Sequence, residues 1–240
     1  MPVVRLFVAL ALLAVAGGAF GHPEDEVCDP AAPPNAFCLA MLEGISEPPP
    51  LRDVIRDYLV LGFTHIIPKG LDHILFVLAL FLGSTGWRSL VALVTMFTIA
   101  HSITLALVAL AIWIPDGAWV EPLIATSISV VALENLLLKG DRKNLWRYPI
   151  VLVFGLLHGL GFGGVLSELG LPDGQLVPAL LAFNVGVEVG QIALVAAAAL
   201  IGWALVRRLA GAGRYRRWVV LPASITIGLT GAVWTTQRLL

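Results

Sequence analysis

Five ionisable side chains, Asp72, His73, His101, His158 and Glu188, lie inside apolar runs long enough to cross a bilayer. Hydrocarbon offers backbone N–H and C=O groups no water, so only helices or a closed barrel span it. A charge at the bilayer centre costs at least ~2.5 kcal/mol even on the most lenient scale. Such side chains therefore face the bundle interior, toward one another or toward something that passes between them. Imidazoles and carboxylates are the groups from which metal sites and proton relays are built.

Of the 240 residues, 58% are hydrophobic and 13% charged, and the mean hydropathy is +0.91. These values describe an all-α polytopic membrane bundle. The net charge is −1 and the basic residues are confined to short loops, which excludes a nucleic-acid surface. Six spans are expected, at about 54–83, 89–114, 118–138, 148–167, 176–206 and 217–237. At ~1.5 Å per residue each reaches across a core of ~30 Å. Pro68 and Gly70 interrupt the first span, so residues 53–67 can also be read as a half-inserted helix leading into 71–84.

Residues 1–21 read as a signal peptide: Arg5, an apolar stretch from Leu6 to Ala16, and the small-x-small site Ala19-Phe20-Gly21. Residues 22–52 then form an acidic exterior segment, and 53–240 the membrane domain. Between residues 22 and 57 lie Glu24, Asp25, Glu26, Asp29, Glu43, Glu47, Asp53 and Asp57, opposed by Arg52 and Arg56. Cys28 and Cys38 lie in the same segment, as a disulfide in an oxidising compartment or as thiolates for metal capture.

Charge sets the orientation. Arg88 follows span one, Lys139, Arg142, Lys143 and Arg147 follow span three, and Arg207, Arg208, Arg214, Arg216 and Arg217 follow span five. These loops are cytoplasmic by the positive-inside rule. The remaining loops carry Asp116, Glu121, Glu168 and Asp173, so both mature termini are expected in the periplasm of a bacterial inner membrane.

The candidate ligands fall on distinct helices. His65 and Asp72 are seven residues apart and share a face if the helix is continuous, although Pro68-Lys69-Gly70 breaks it. Asp72 beside His73 places a hard oxygen next to an imidazole. Thr98, His101 and Ser102 form a polar stripe on span two. Glu134 and Asn135 close span three, where Glu134 either snorkels to the interface or accepts an ion at the exit. His158 lies among Gly155, Gly159 and Gly163, a small-xxx-small packing seam. Asn184, Glu188 and Gln191 share one face of span five, as a coordination stripe or as a polar ladder between helices; Gly186 and Gly190 form a seam on another. His22 adds an imidazole and a free amine if cleavage follows Gly21. The donors include no cluster of Cys or Met, which disfavours a Cu(I) path and suits Ni, Co, Zn or Cu(II).

Several motifs occur together: H-I-I-P-K-G-L-D-H-I-L-F at 65–76, F-T-I-A-H-S-I-T-L at 97–105, V-E-P-L-I-A at 120–125, A-L-E-N at 132–135, G-L-L-H-G-L-G-F at 155–162 and F-N-V-G-V-E-V-G-Q at 183–191. In this order they resemble the HupE/UreJ family of membrane proteins, in its longer branch with an exported N-terminal segment. The resemblance covers roughly residues 55–195. It implies metal permeation, chiefly of nickel for hydrogenase and urease maturation. The shorter hydrogenase-linked members have five residues between the first His and the Asp-His pair, whereas six separate His65 from Asp72 here.

The expectation is a permease carrying a divalent transition-metal ion inward, gathered by the acidic exterior segment with His22, past Asp72 and His73, then His101, His158 and Glu188, and out near Glu134, with His65 and Asn184 as further candidate ligands. The partners are lipid and the ion; a homo-oligomer or a metal-delivery protein remains open. Against this stands an intramembrane hydrolase, because His and Asp ligands also hold catalytic zinc. A haem carrier with paired His and a metal sensor are further alternatives. Cleavage after Gly21 makes His-Pro-Glu the first residues of the purified protein, which N-terminal sequencing reads directly; a chain that retains residues 1–21 refutes the signal-peptide assignment.

Overall fold

The structure, a computed structural model, describes residues 49–84, 86–113, 115–137, 145–168, 174–209 and 212–240. The signal peptide, His22, Cys28, Cys38, Lys139, Arg142, Lys143 and Asp173 lie outside the described residues. The described chain is helical and contains no strand. Its helices are α1 (Leu51–Ile66), α2 (Leu71–Gly83), α3 (Trp87–Ala109), α4 (Gly117–Leu137), α5 (Arg147–Glu168), α6 (Leu176–Leu209), the short α7 (Ala212–Tyr215) and α8 (Leu221–Leu239). A π-helical turn, Arg216–Val220, leads into α8.

Four helical segments are long and apolar enough to cross a membrane: α3, α4, Leu176–Leu205 and Gly213–Leu239. The broken pair α1–α2 makes a fifth, and its two halves meet at 65°. Among the described residues five of the six expected spans, α1–α2, α3, α4, α6 and α8, are thus met by helices long and apolar enough to cross. α5, 22 residues long, lies where the fourth span is expected.

Three helix pairs build the bundle, and small residues let each pair close to backbone contact. In α1/α6, a Cβ on Gly62 would strike the carbonyl of Phe183, and one on Gly186 the carbonyl of Leu59. In α3/α5, Gly155 lies against the Phe97 carbonyl and Gly159 against that of His101. In α4/α8, Gly231 lies against Ser129 and the Ala125 carbonyl. The Gly155/Gly159 and Gly186/Gly190 seams read from sequence are therefore real interfaces. α2 runs between the pairs, with Phe76, Val77, Ala79 and Leu80 buried in the main core.

The contacts also fix direction. Leu59 meets Gly186 and Ile66 meets Gly190, so α1 and α6 run parallel. Gln175 Nε2 donates to the Pro49 carbonyl at 2.8 Å, so the two helices begin level. Ile66 thus reaches the depth of Gly190, roughly 20 Å along α6. α3 and α5 are likewise parallel, whereas α4 and α8 run antiparallel, as spans that alternate through a membrane require.

The outer surface is apolar. Leu181, Val185, Val189 and Ile192 form an exposed stripe along α6, and Ile99 and Ile103 one on α3. Exposed Trp87, Trp146 and Trp218 sit where α3, α5 and α8 begin, and Trp113 and Trp119 lie at the opposite end. Two aromatic belts with apolar surface between them are the signature of a bilayer-embedded protein. Gly186→Leu should destabilise the detergent-solubilised protein by about 1–3 kcal/mol through overpacking. Gly86→Ala, with open space around it, should leave thermal unfolding unchanged.

Candidate metal centre

The break after α1 assembles the site. The chain keeps its backbone satisfied through the reversal: the Ile67 N–H donates to Phe63 O at 2.9 Å, Lys69 to Thr64 O at 3.2 Å and Gly70 to Ile66 O at 3.3 Å. Pro68 has no N–H to satisfy. At Gly70 the chain packs so closely on the His65 carbonyl that a Cβ would collide with it. The helix is broken where Pro68-Lys69-Gly70 predicts, so His65 and Asp72 do not share one continuous face. The fold instead brings His65 onto His73, with ring centroids 4.6 Å apart.

His101 from α3 and His158 from α5 complete the group. His73 lies 5.6 Å from His101 and 4.9 Å from His158, centroid to centroid, and His65 lies 5.9 Å from His101. One nitrogen from each of His65, His73 and His101 falls within 4.8 Å of the others, close enough to share an ion. His73, His101 and His158 are buried.

Phenylalanines wall this chamber. Phe162 and Phe183 lie 4.0 and 5.6 Å from His65, Phe97 stacks on His101 at 6.0 Å, and Phe76 and Phe97 flank His158 at 5.1 and 5.0 Å. An apolar wall excludes competing donors from around the rings.

Five buried ring nitrogens find no hydrogen-bond partner in the protein: His65 Nε2, His73 Nε2, His158 Nε2 and both nitrogens of His101. Unpaired buried polar atoms are costly, and a cluster of them needs an explanation beyond packing. His158 Nδ1 lies 2.8 Å from the Phe154 carbonyl. The carbonyl can only accept, so Nδ1 carries the proton and Nε2 presents its lone pair, the orientation typical of a metal-ligating histidine.

The other expected ligands do not join this cluster. Asp72 is held by Arg238, whose Nη2 lies 3.0 and 3.3 Å from the two carboxylate oxygens. The α6 stripe faces α3: Ser102 donates to Asn184 Oδ1 at 2.6 Å, Thr95 to Glu188 Oε1 at 3.2 Å and Thr98 to Gln191 Oε1 at 2.7 Å. It forms a polar ladder between two helices.

Glu134 neither snorkels nor stands alone. Arg147 Nε donates to it at 2.9 Å, and Arg147 Nη2 donates to Asn135 Oδ1 at 2.7 Å. Asn135 in turn donates to the Ala79 carbonyl at 2.7 Å, tying α2, α4 and α5 together. Sequence reading treated Arg147 as a loop charge and gave no role to Arg238 or Thr95. Each had a visible signal: a basic or hydroxyl residue at or inside an apolar helix, where its polar end needs a partner.

The family model described as HupE / UreJ protein matches residues 44–238. The chain belongs to the HupE/UreJ family. Membership agrees with the motif resemblance and extends it to α8. The HupE/UreJ family is associated with nickel and cobalt transport, which points to a transporter rather than an enzyme. No match was found among curated proteins or solved structures.

The Glu134–Arg147 pair permits a direct test. Both side chains are nearly covered, 13% and 8% exposed. Removing one partner strands a buried charge, so Arg147→Met should cost about 3–5 kcal/mol, whereas Glu134→Gln with Arg147→Met should recover much of it. Denaturant unfolding of the solubilised variants measures both.

Proposed function

We propose that this HupE/UreJ protein is an inner-membrane permease for a divalent transition-metal ion, with nickel the leading cargo and cobalt, zinc and copper the alternatives. The carrying observation is that His65, His73, His101 and His158, from four helices, pack ring to ring, that one nitrogen from each of the first three lies within 4.8 Å of the others, and that five ring nitrogens of the group have no partner. Imidazole suits these ions. Conduction needs release as much as capture.

The ion passes from the acidic exterior segment, with His22, to Asp72 and the histidine chamber. The ladder of Asn184 and Glu188 flanks the path, and Glu134 lies toward the cytoplasmic end. Both mature termini are periplasmic. The membrane potential drives influx, at about 2.3 kcal/mol per charge per 100 mV and twice that for a divalent ion.

The hydrolase reading keeps one point of support, since three imidazoles with an open position also describe a catalytic zinc site. Proteoliposome uptake separates the two. The permease should show saturable Ni²⁺ influx, reduced at least about ten-fold in His73→Ala and His101→Ala, because even outer-shell changes at metal sites act on that scale. Absence of influx together with one tightly retained metal ion and lipid or peptide turnover would replace the permease with the hydrolase.

A further inference from the structure

Two ion pairs that join different helices, Glu134–Arg147 and Asp72–Arg238, are built differently. Glu134–Arg147 is nearly covered, and the guanidinium has a second amide partner in Asn135. Asp72–Arg238 is open: the side chains are 22% and 21% exposed. A single nitrogen, Nη2, serves both carboxylate oxygens, at 3.0 and 3.3 Å. That geometry falls short of the parallel two-nitrogen fork that makes Arg–carboxylate pairs strong. Nη1 donates to the Glu121 carbonyl at 3.2 Å, and the guanidinium lies 5.6 Å from the Trp234 ring. The guanidinium is thus held over Asp72 by weak contacts from α4 and α8, where an incoming ion can reach it.

Its position gives the pair a consequence. Asp72 directly precedes His73 on α2, and the His73 ring packs against His65, His101 and His158. The carboxylate is therefore one residue from the histidine cluster, and the Arg238 guanidinium neutralises it. We propose that Arg238 is a tethered competitor cation: it occupies Asp72 until a divalent ion displaces it, and so sets which ions pass. At equal distance and dielectric a divalent ion gains twice the Coulomb energy that a guanidinium gains from the same carboxylate, whereas a monovalent ion gains no more than it replaces. The tether thus discriminates by charge before the imidazoles discriminate by chemistry. This inference rests on the permease reading.

The test is Ni²⁺ uptake into proteoliposomes as a function of concentration, for wild type, Arg238→Gln, Arg238→Lys and each change combined with Asp72→Asn. Removing the competitor should lower the half-saturating Ni²⁺ concentration about five-fold or more in Arg238→Gln. Arg238→Lys, a point charge without the planar fork, should lower it by about two-fold. Neither change should shift half-saturation when Asp72 is Asn. Millimolar methylguanidinium should raise the half-saturation of Arg238→Gln back toward wild type, which a purely structural role for Arg238 does not explain.

Unchanged or raised half-saturation in Arg238→Gln, with saturable wild-type uptake, overturns the competitor while leaving the permease standing. So does an equal shift in the Asp72→Asn background. If Arg238→Gln does not yield monodisperse protein, Arg238→Lys decides alone, and a wild-type half-saturation in it overturns the proposal. No saturable uptake and no Ni²⁺ binding by wild type refutes the permease reading, and the competitor with it.

Discussion

Between Ile66 and Leu71 the chain gives up helix inside an apolar bundle, and the rest of the site depends on how it does so. A free backbone at that depth would be prohibitive. Here Ile67, Lys69 and Gly70 donate back into the last turn of α1, and proline occupies the position that would otherwise leave an N–H exposed. The break costs little in unsatisfied groups and turns the chain by 65°. That turn lays the start of α2 against the end of α1, so two imidazoles eight residues apart meet edge to face. α3 and α5 then need only bring one histidine each.

Polar side chains in this bundle divide into those that bind helices and those that wait. The Glu134–Arg147–Asn135 cluster is internally paired, and the α3/α6 ladder matches hydroxyl donors to the oxygens of Asn184, Glu188 and Gln191, leaving only Gln191 Nε2 of its buried polar atoms unpaired. Five ring nitrogens of the histidine group have no partner. Paired polar groups of this kind act as glue between helices in lipid, whereas a cluster of unpaired imidazoles calls for a different role.

Much of this was legible in the sequence because ionisable groups within apolar spans are rare enough to be informative one at a time. The four histidines of the chamber, the broken first span, the glycine seams and the face shared by Asn184, Glu188 and Gln191 were all readable from spacing. Partnership was not. Asp72 and Arg238 are 166 positions apart, and nothing in helical periodicity says that α8 returns beside α2. Arg147 reads as one of the basic residues of a cytoplasmic loop, yet α4 covers it. A continuous helix would have put Asp72 under His65; the 65° bend, which depends on tertiary packing, put His73 there instead.

The glycine contacts weld α1 to α6, α3 to α5 and α4 to α8 at backbone distance, so each pair behaves as one stave of a barrel. The imidazoles are distributed across the joints between staves: His65 on the first, His101 and His158 on the second, His73 on the strut of α2. Any rocking of one stave against another must change the spacing of the rings. For an ion held between these rings, grip and the shape of the bundle would be the same variable.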